Sequence, residues 1–223
     1  MTTFAPSLSL IRSTFANEVT RHGGAVLDTF EQNEVLIIRA TLALADDVRP
    51  DDTVNGGVAL KCYGSDLEVH PYVFRQVCSN GAIISRSISS MRLQRVEEFL
   101  SDGASDVLID LAETIGVCAG GAPFEREVTL MRSAADTEGS MDMLLNLLPA
   151  ISTLANQPRL LRQILNEYIR GSDDSVFGIM NAITATAREQ QDPEVKWELE
   201  ELGGGVPARL VRSPSPDHSW QPV

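Results

Sequence analysis

The stretch AVLDTFEQNEVLIIRATLALA, residues 25 to 45, decides the fold. Its first six residues and the run from Glu34 onward are rich in β-branched and apolar side chains, the second run ends in alternation, and a polar EQN stands between them. The pattern predicts a hairpin with its loop centred on Gln32 and Asn33. The acidic, proline-bearing DDVRPDD at 46 to 52 is expected to be a loop that stops the second strand. A third strand is expected through Val58 to Tyr63, and VFRQVC with AIISRSIS forms a further pair, with strand character in Val73, Phe74, Val77, Ile83, Ile84 and Ile88. Between them Asn80 and Gly81 both tolerate positive φ, so a tight structural turn is expected there. Cys78 beside it reads as a small packing residue.

The second half changes period. In VEEFLSDGASDVLIDLAETIG, Val107, Leu108, Leu111 and Ile115 fall at helical spacing, with Ser105 as N-cap and Gly116 as stop. MDMLLNLLPAISTLANQPRLLRQILNEYIRG supplies two apolar helical stretches, broken near Pro149 and Pro158 and ending at Gly171. Leu160, Ile164 and either Leu161 or Leu165 form the core stripe of the second. SVFGIMNAITATARE carries Phe177, Met180, Ile183 or Thr184, and Ala187 on one face. DPEVKWELEELGGG offers Asp192 as N-cap, Pro193 at the first helical position, a stripe of Val195, Leu199 and Leu202, and a glycine run as the stop.

These elements predict an α+β fold, an antiparallel β-sheet formed mainly by the N-terminal half and packed against helices from the C-terminal half. Residues 1 to 15 are expected to be an N-terminal arm, 16 to 208 a single domain and 209 to 223 a disordered tail rich in proline and serine. A chain of 223 residues that is 43% hydrophobic has the means to bury such a core.

Thirty-one acidic residues against 18 basic ones give a net charge of -13, which on average repels phosphate backbones and anionic membranes. The three cysteines are widely spaced without a Cys-x-x-Cys pair, so neither a disulfide framework nor a zinc knuckle is indicated, and a reducing cytoplasm is expected. The first residues lack a basic and apolar leader pattern, and no later segment approaches the ~20 apolar residues of a membrane span.

Covalent chemistry has few candidates. A nucleophilic Cys78 needs a base, and of His22, His70 and His218 only His70 is a credible partner, so a cysteine-dependent enzyme is the remote alternative. No histidine pair or Asp-x-Asp loop marks a metal site, the glycines follow no phosphate-binding pattern, and no cofactor or small-molecule ligand is identifiable. The glycines of RHGG, NGG, CAGGA and LGGG are expected in turns and helix stops.

One window departs from the average. Between Glu68 and Glu97 there is no acidic residue, yet Arg75, Arg86, Arg92 and Arg95 occur there with interleaved serines. Aligned arginines of this kind contact phosphates, and Tyr72 and Phe74 are placed to stack on unpaired bases. Single-stranded DNA is therefore the expected partner. The competing reading pairs these arginines with acids of the helical half, on this chain or on a second copy in a homo-oligomer.

The segment YVFRQVCSNGAII resembles the arginine-x-x-cysteine-x-asparagine-glycine signature of the phage/plasmid-like domain of unknown function 932. FGIMNAITATARE is similar to that family's asparagine-alanine-x-threonine segment, and the resemblance covers about residues 20 to 205. Where family members carry a polar NS-x-D-G-S type segment, this chain has CYGSDLEVHP. The resemblance implies an origin in prophages, plasmids or neighbouring loci and no established catalytic activity. The expectation is thus a non-enzymatic accessory protein that binds single-stranded DNA in recombination or replication, or else a protein-interaction module.

Overall fold

The structure, a computed structural model, describes residues 6–64, 66–76, 79–84, 103–147 and 157–211. The fold is α+β. Five strands, β1 (Ala25–Gln32), β2 (Val35–Arg49), β3 (Asp52–Tyr63), β4 (Asp66–Arg75) and β5 (Asn80–Ile83), form one antiparallel sheet in sequence order. Helix α1 (Leu8–Arg21) precedes the sheet. Following it are α2 (Gly103–Ala119), α3 (Ala122–Ala135), α4 (Met141–Leu147), α5 (Pro158–Gly171), α6 (Val176–Arg188) and α7 (Pro193–Leu210).

The expected hairpins form, with shifted bends. Gln32 pairs with Val35, so the first turn is Asn33 and Glu34, with φ of 50° and 64° as a two-residue hairpin turn demands. DDVRPDD is not a loop that ends β2. The strand runs on to Arg49, because Asp46 and Asp47 occupy ladder positions opposite Val54 and Thr53 while Val48 is buried, and only Pro50 and Asp51 make the turn. The bend between β4 and β5 also lies earlier than expected. Arg75 pairs with Asn80 and Phe74 with Gly81, so both turn candidates are strand residues and the connection is 76 to 79, with Ser79 at φ 52°. Cys78 lies outside the described residues.

Residues 8 to 15 are not an arm. Ser7 caps α1, and Ile11, Phe15 and Val19 at four-residue spacing are buried on the sheet. On that face Leu36, Ile38, Val58, Leu60 and Val69 meet α1 and the Leu111, Ile115, Cys118 stripe of α2. The stripe explains why α2 starts before Ser105 and passes Gly116: the next buried position is Cys118, and its packing outweighs the ~1 kcal/mol that a helical glycine costs. Helix α3, which the sequence reading did not foresee, begins after Gly121 at φ 84° with Pro123 in its first turn, and buries Phe124, Val128 and Met131.

The helical core gathers α3 to α7 around the far end of the sheet, with Val54, Val73 and Ala82 facing Phe177, Ile183 and Val206. Leu160 and Ile164 form the buried α5 stripe as expected, joined by Tyr168, while Leu161 and Leu165 pack at its edge. Pro149 and residues 212–223 lie outside the described residues.

Asp192 does cap α7, accepting from the amides of Glu194 and Val195. The glycine run does not stop that helix, which continues to Leu210. A Cβ on Gly204 would stand 2.1 Å from the Ile83 carbonyl oxygen, and one on Gly203 would stand 2.5 Å from the Thr184 methyl of α6. The glycines let α7 lie directly on β5 and α6. Gly56 and Gly57, expected in a turn, are likewise inside β3.

No single described helix is long and apolar enough to cross a membrane. Helices α2 and α3, bent by 47°, reach that composition only as a pair, with Leu111, Ile115, Val128 and Met131 buried in the two cores.

Candidate functional site

The end of β4, the start of β5, the end of α5 and the length of α6 enclose a groove of about 410 Å³. That is within the ~300–1,000 Å³ typical of ligand sites. Arg75 and Asn80 come from the hairpin, Tyr168 and Arg170 from α5, and Asn181 and Arg188 from α6. A void of about 10 Å³ lies beside it, shared by Arg75, Asn80, Gly81, Asn181 and Thr184. Segments a hundred residues apart in sequence, around Asn80 and Asn181, therefore meet at one place.

A cluster of charges holds the groove's inner wall. At the end of β2, Arg49 Nη1 donates to Asp173 Oδ2 at 2.8 Å, and its Nη2 donates to the Ala135 carbonyl at 2.9 Å and to Ser175 Oγ at 3.0 Å. Ser175 in turn accepts from the Gly178 amide as N-cap of α6. Arg75 donates from Nε and Nη2 to the two oxygens of Asp52 at 2.5 and 2.7 Å, a bidentate pair. Both guanidinium carbons stand 5.5 Å from the Phe177 ring centroid. The turns at both hairpin tips are thereby tied to the start of α6. Burial pushes the Asp173 carboxyl up, but hydrogen bonds from Arg49 and Ser175 outweigh it and hold the group below its usual range.

Two polar atoms in the groove wall have no hydrogen-bond partner among the described residues. Asn80 is 3% exposed with Oδ1 unpaired, and Tyr168 is 7% exposed with its hydroxyl unpaired. Burial, with the charges of Asp174 and Asp173, pushes the Tyr168 phenol up, so it stays protonated. The groove is lined by charges of both signs, with Glu167 and Asp173 beside the arginines. Arg170 pairs with Glu167 one turn away and Arg188 reaches Glu189 at 4.0 Å, and both arginine side chains are exposed.

The structure redistributes the residues expected to bind. Arg75 is in the groove, where its charge is matched by Asp52 of the sheet and is also felt by Asp173 of the helical half. Arg86, Arg92 and Arg95 lie outside the described residues. Tyr72 and Phe74 are not base-stacking platforms: Tyr72 is buried against Trp197, and Phe74 is half-buried beside the same cluster, because strand alternation turns both onto the face that α7 covers. Tyr168, Arg170 and Arg188 were not anticipated. The sequence signal for this place was Arg75, through the acid-free basic window.

His70 is buried edge-to-face on Trp197, with ring centroids 5.7 Å apart. Its proposed partner Cys78 is outside the described residues. Burial pushes the Cys118 thiol up to about 12 and raises that of Cys62, so both stay protonated and unreactive. Among the described residues, no three histidine, cysteine or carboxylate side chains gather to hold a metal ion.

Comparison with protein-family models, with curated proteins and with solved structures finds no match to this chain.

Proposed function

We propose that the chain is a non-enzymatic accessory protein that holds single-stranded DNA in the groove between the β4–β5 hairpin and helices α5 and α6. The observation that carries this reading is the meeting there of the exposed Arg170 and Arg188 with the amide oxygen of Asn80, which has no hydrogen-bond partner among the described residues. In a chain of net charge -13, a phosphate backbone needs such a local concentration of guanidinium groups. Arg86, Arg92 and Arg95 follow β5 directly in the sequence and extend the same basic run. The motif-like segments that meet at the groove supply the setting, a phage or plasmid element engaged in recombination or replication.

A salt titration with a labelled single-stranded oligonucleotide tests the reading. Arg170→Ala and Arg188→Ala each lower affinity for every sequence and flatten the salt dependence by about 0.7 in the log-log slope per lost phosphate contact. Absence of binding at low salt, or binding indifferent to both substitutions, removes it.

A second reading has one observation in its favour. Strand β1 is an edge of the sheet, eight residues long, with Val26 and Leu27 exposed at 40% and 41%. Such an edge is a template for pairing with a second copy. Light scattering across a concentration series decides it, since a concentration-independent monomer excludes a homo-oligomer.

A further inference from the structure

Electrostatic capture of a strand uses the rim of the groove and leaves its depth unexplained. Arg170 and Arg188 are placed for phosphates, and Arg75 is already engaged with Asp52. In the groove wall, the Asn80 Oδ1 and Tyr168 hydroxyl are buried polar atoms with no partner among the described residues, and a hydrogen-bonding ligand group would complete them. Ala182 and Ala185 of α6 add short side chains to the same wall, in a groove of about 410 Å³. A carboxamide offers an acceptor and donors side by side, and a phenol hydroxyl offers either. The Watson–Crick edge of every nucleobase carries both a donor and an acceptor, and an unstacked base presents that edge.

From this juxtaposition we infer that the groove takes one unstacked nucleobase of the bound strand. Its hydrogen-bonding edge meets the Asn80 amide and the Tyr168 hydroxyl, while Arg170 and Arg188 hold the adjoining phosphates. The inference rests on the strand-binding reading and deepens it: the site registers the presence of a base, because Asn80 and Tyr168 ask only for the donor and acceptor that each Watson–Crick edge carries.

The experiment compares a single strand of about ten nucleotides with an abasic strand of the same length. Binding is read by fluorescence anisotropy at low salt on the full chain. The base-bearing strand binds about tenfold more tightly to the unsubstituted protein. Asn80→Ala and Tyr168→Phe each bring that affinity down towards the abasic value. Tyr168→Phe removes one orphaned hydroxyl and nothing else, so its unfolding midpoint stays level or rises, which keeps the test valid if Asn80→Ala fails to fold. Equal affinity for the two strands overturns base recognition while strand binding stands. Failure of both strands to bind at low salt overturns the strand-binding reading itself.

Discussion

Arg39 Nε donates to Glu200 Oε2 at 2.5 Å, and each side chain is only 2% exposed. The pair is the centre of a second polar cluster, in which Asp28 accepts from Arg39 Nη1 at 3.1 Å and from Lys196 Nζ at 2.7 Å, and the Arg39 guanidinium lies 5.8 Å from the Trp197 ring centroid. It pins α7 to the face of the sheet away from α1. Removing one member leaves an uncompensated charge inside the protein, which costs about 3–5 kcal/mol. Glu200→Ala is expected to lose that much in urea unfolding above pH 7, where Glu200 is ionised. Arg39→Met combined with Glu200→Leu recovers most of it, because an apolar pair of similar volume has no desolvation penalty.

The same pair gives the stability a pH dependence of defined sign. Burial pushes Glu200 up to about 7 from its ordinary 4.5, although Arg39 and Lys196 pull the other way. Between those values the folded chain keeps a proton that the unfolded chain has released, so stability falls as pH rises from about 4.5 to about 7 and is level above. At about 1.4 kcal/mol per unit the span is about 3 kcal/mol. Asp28 has the opposite sense: burial is outweighed by Arg39 and Lys196, its carboxyl is held low, and its contribution is lost only at more acid pH. Urea midpoints measured from pH 5 to 8 are expected to decline in the unsubstituted chain and to stay flatter in Glu200→Gln.

Helix propensity and packing make opposite predictions at Gly204. An alanine in a helix interior is favoured over glycine by about 1 kcal/mol. Here its Cβ would meet the Ile83 carbonyl oxygen at 2.1 Å, backbone against backbone, with no flexible side chain to yield. Gly204→Ala is therefore expected to destabilise by more than about 2 kcal/mol, at the upper end of overpacking costs. Thermal unfolding measures it, and a raised midpoint would mean that α7 does not rest on β5.

What was legible in the sequence was whatever a local period carries. The apolar run of β2 marks a strand, buried on both faces from Val35 to Ala40, and the Leu160, Ile164 spacing marks the buried side of α5. Arg39 lies inside that buried run, and its burial is intelligible only with Glu200, 161 residues away. The glycines of α7 read as a stop because glycine usually ends helices; the contact with β5 that makes them necessary is tertiary. Tyr168 continues the α5 stripe at the expected spacing, yet nothing local shows that its hydroxyl is left unpaired in a groove. Arg75 was marked by the acid-free window and Asn80 was read only as a turn residue, whereas Arg170 and Arg188 are ordinary helix-end arginines until α5 and α6 are placed beside the hairpin.

Asp52 and Arg75 offer a test in which the groove's charge changes and its shape does not. The bidentate pair cancels the positive charge that Arg75 would otherwise present to the groove. Asp52→Asn keeps the volume and one acceptor oxygen but removes the negative charge. Weakening these buried, charge-assisted bonds is expected to lower stability by about 1–3 kcal/mol. On the strand-binding reading, affinity for single-stranded DNA at low salt rises and the log-log salt slope steepens by about 0.7, as one more phosphate finds a cation. Anisotropy titrations at two or more salt concentrations, with circular dichroism to verify the fold, measure both effects. A fall in affinity with the fold retained would mean that Asp52 matters by aiming the guanidinium, and that Arg75 works through its position against Phe177 more than through its charge.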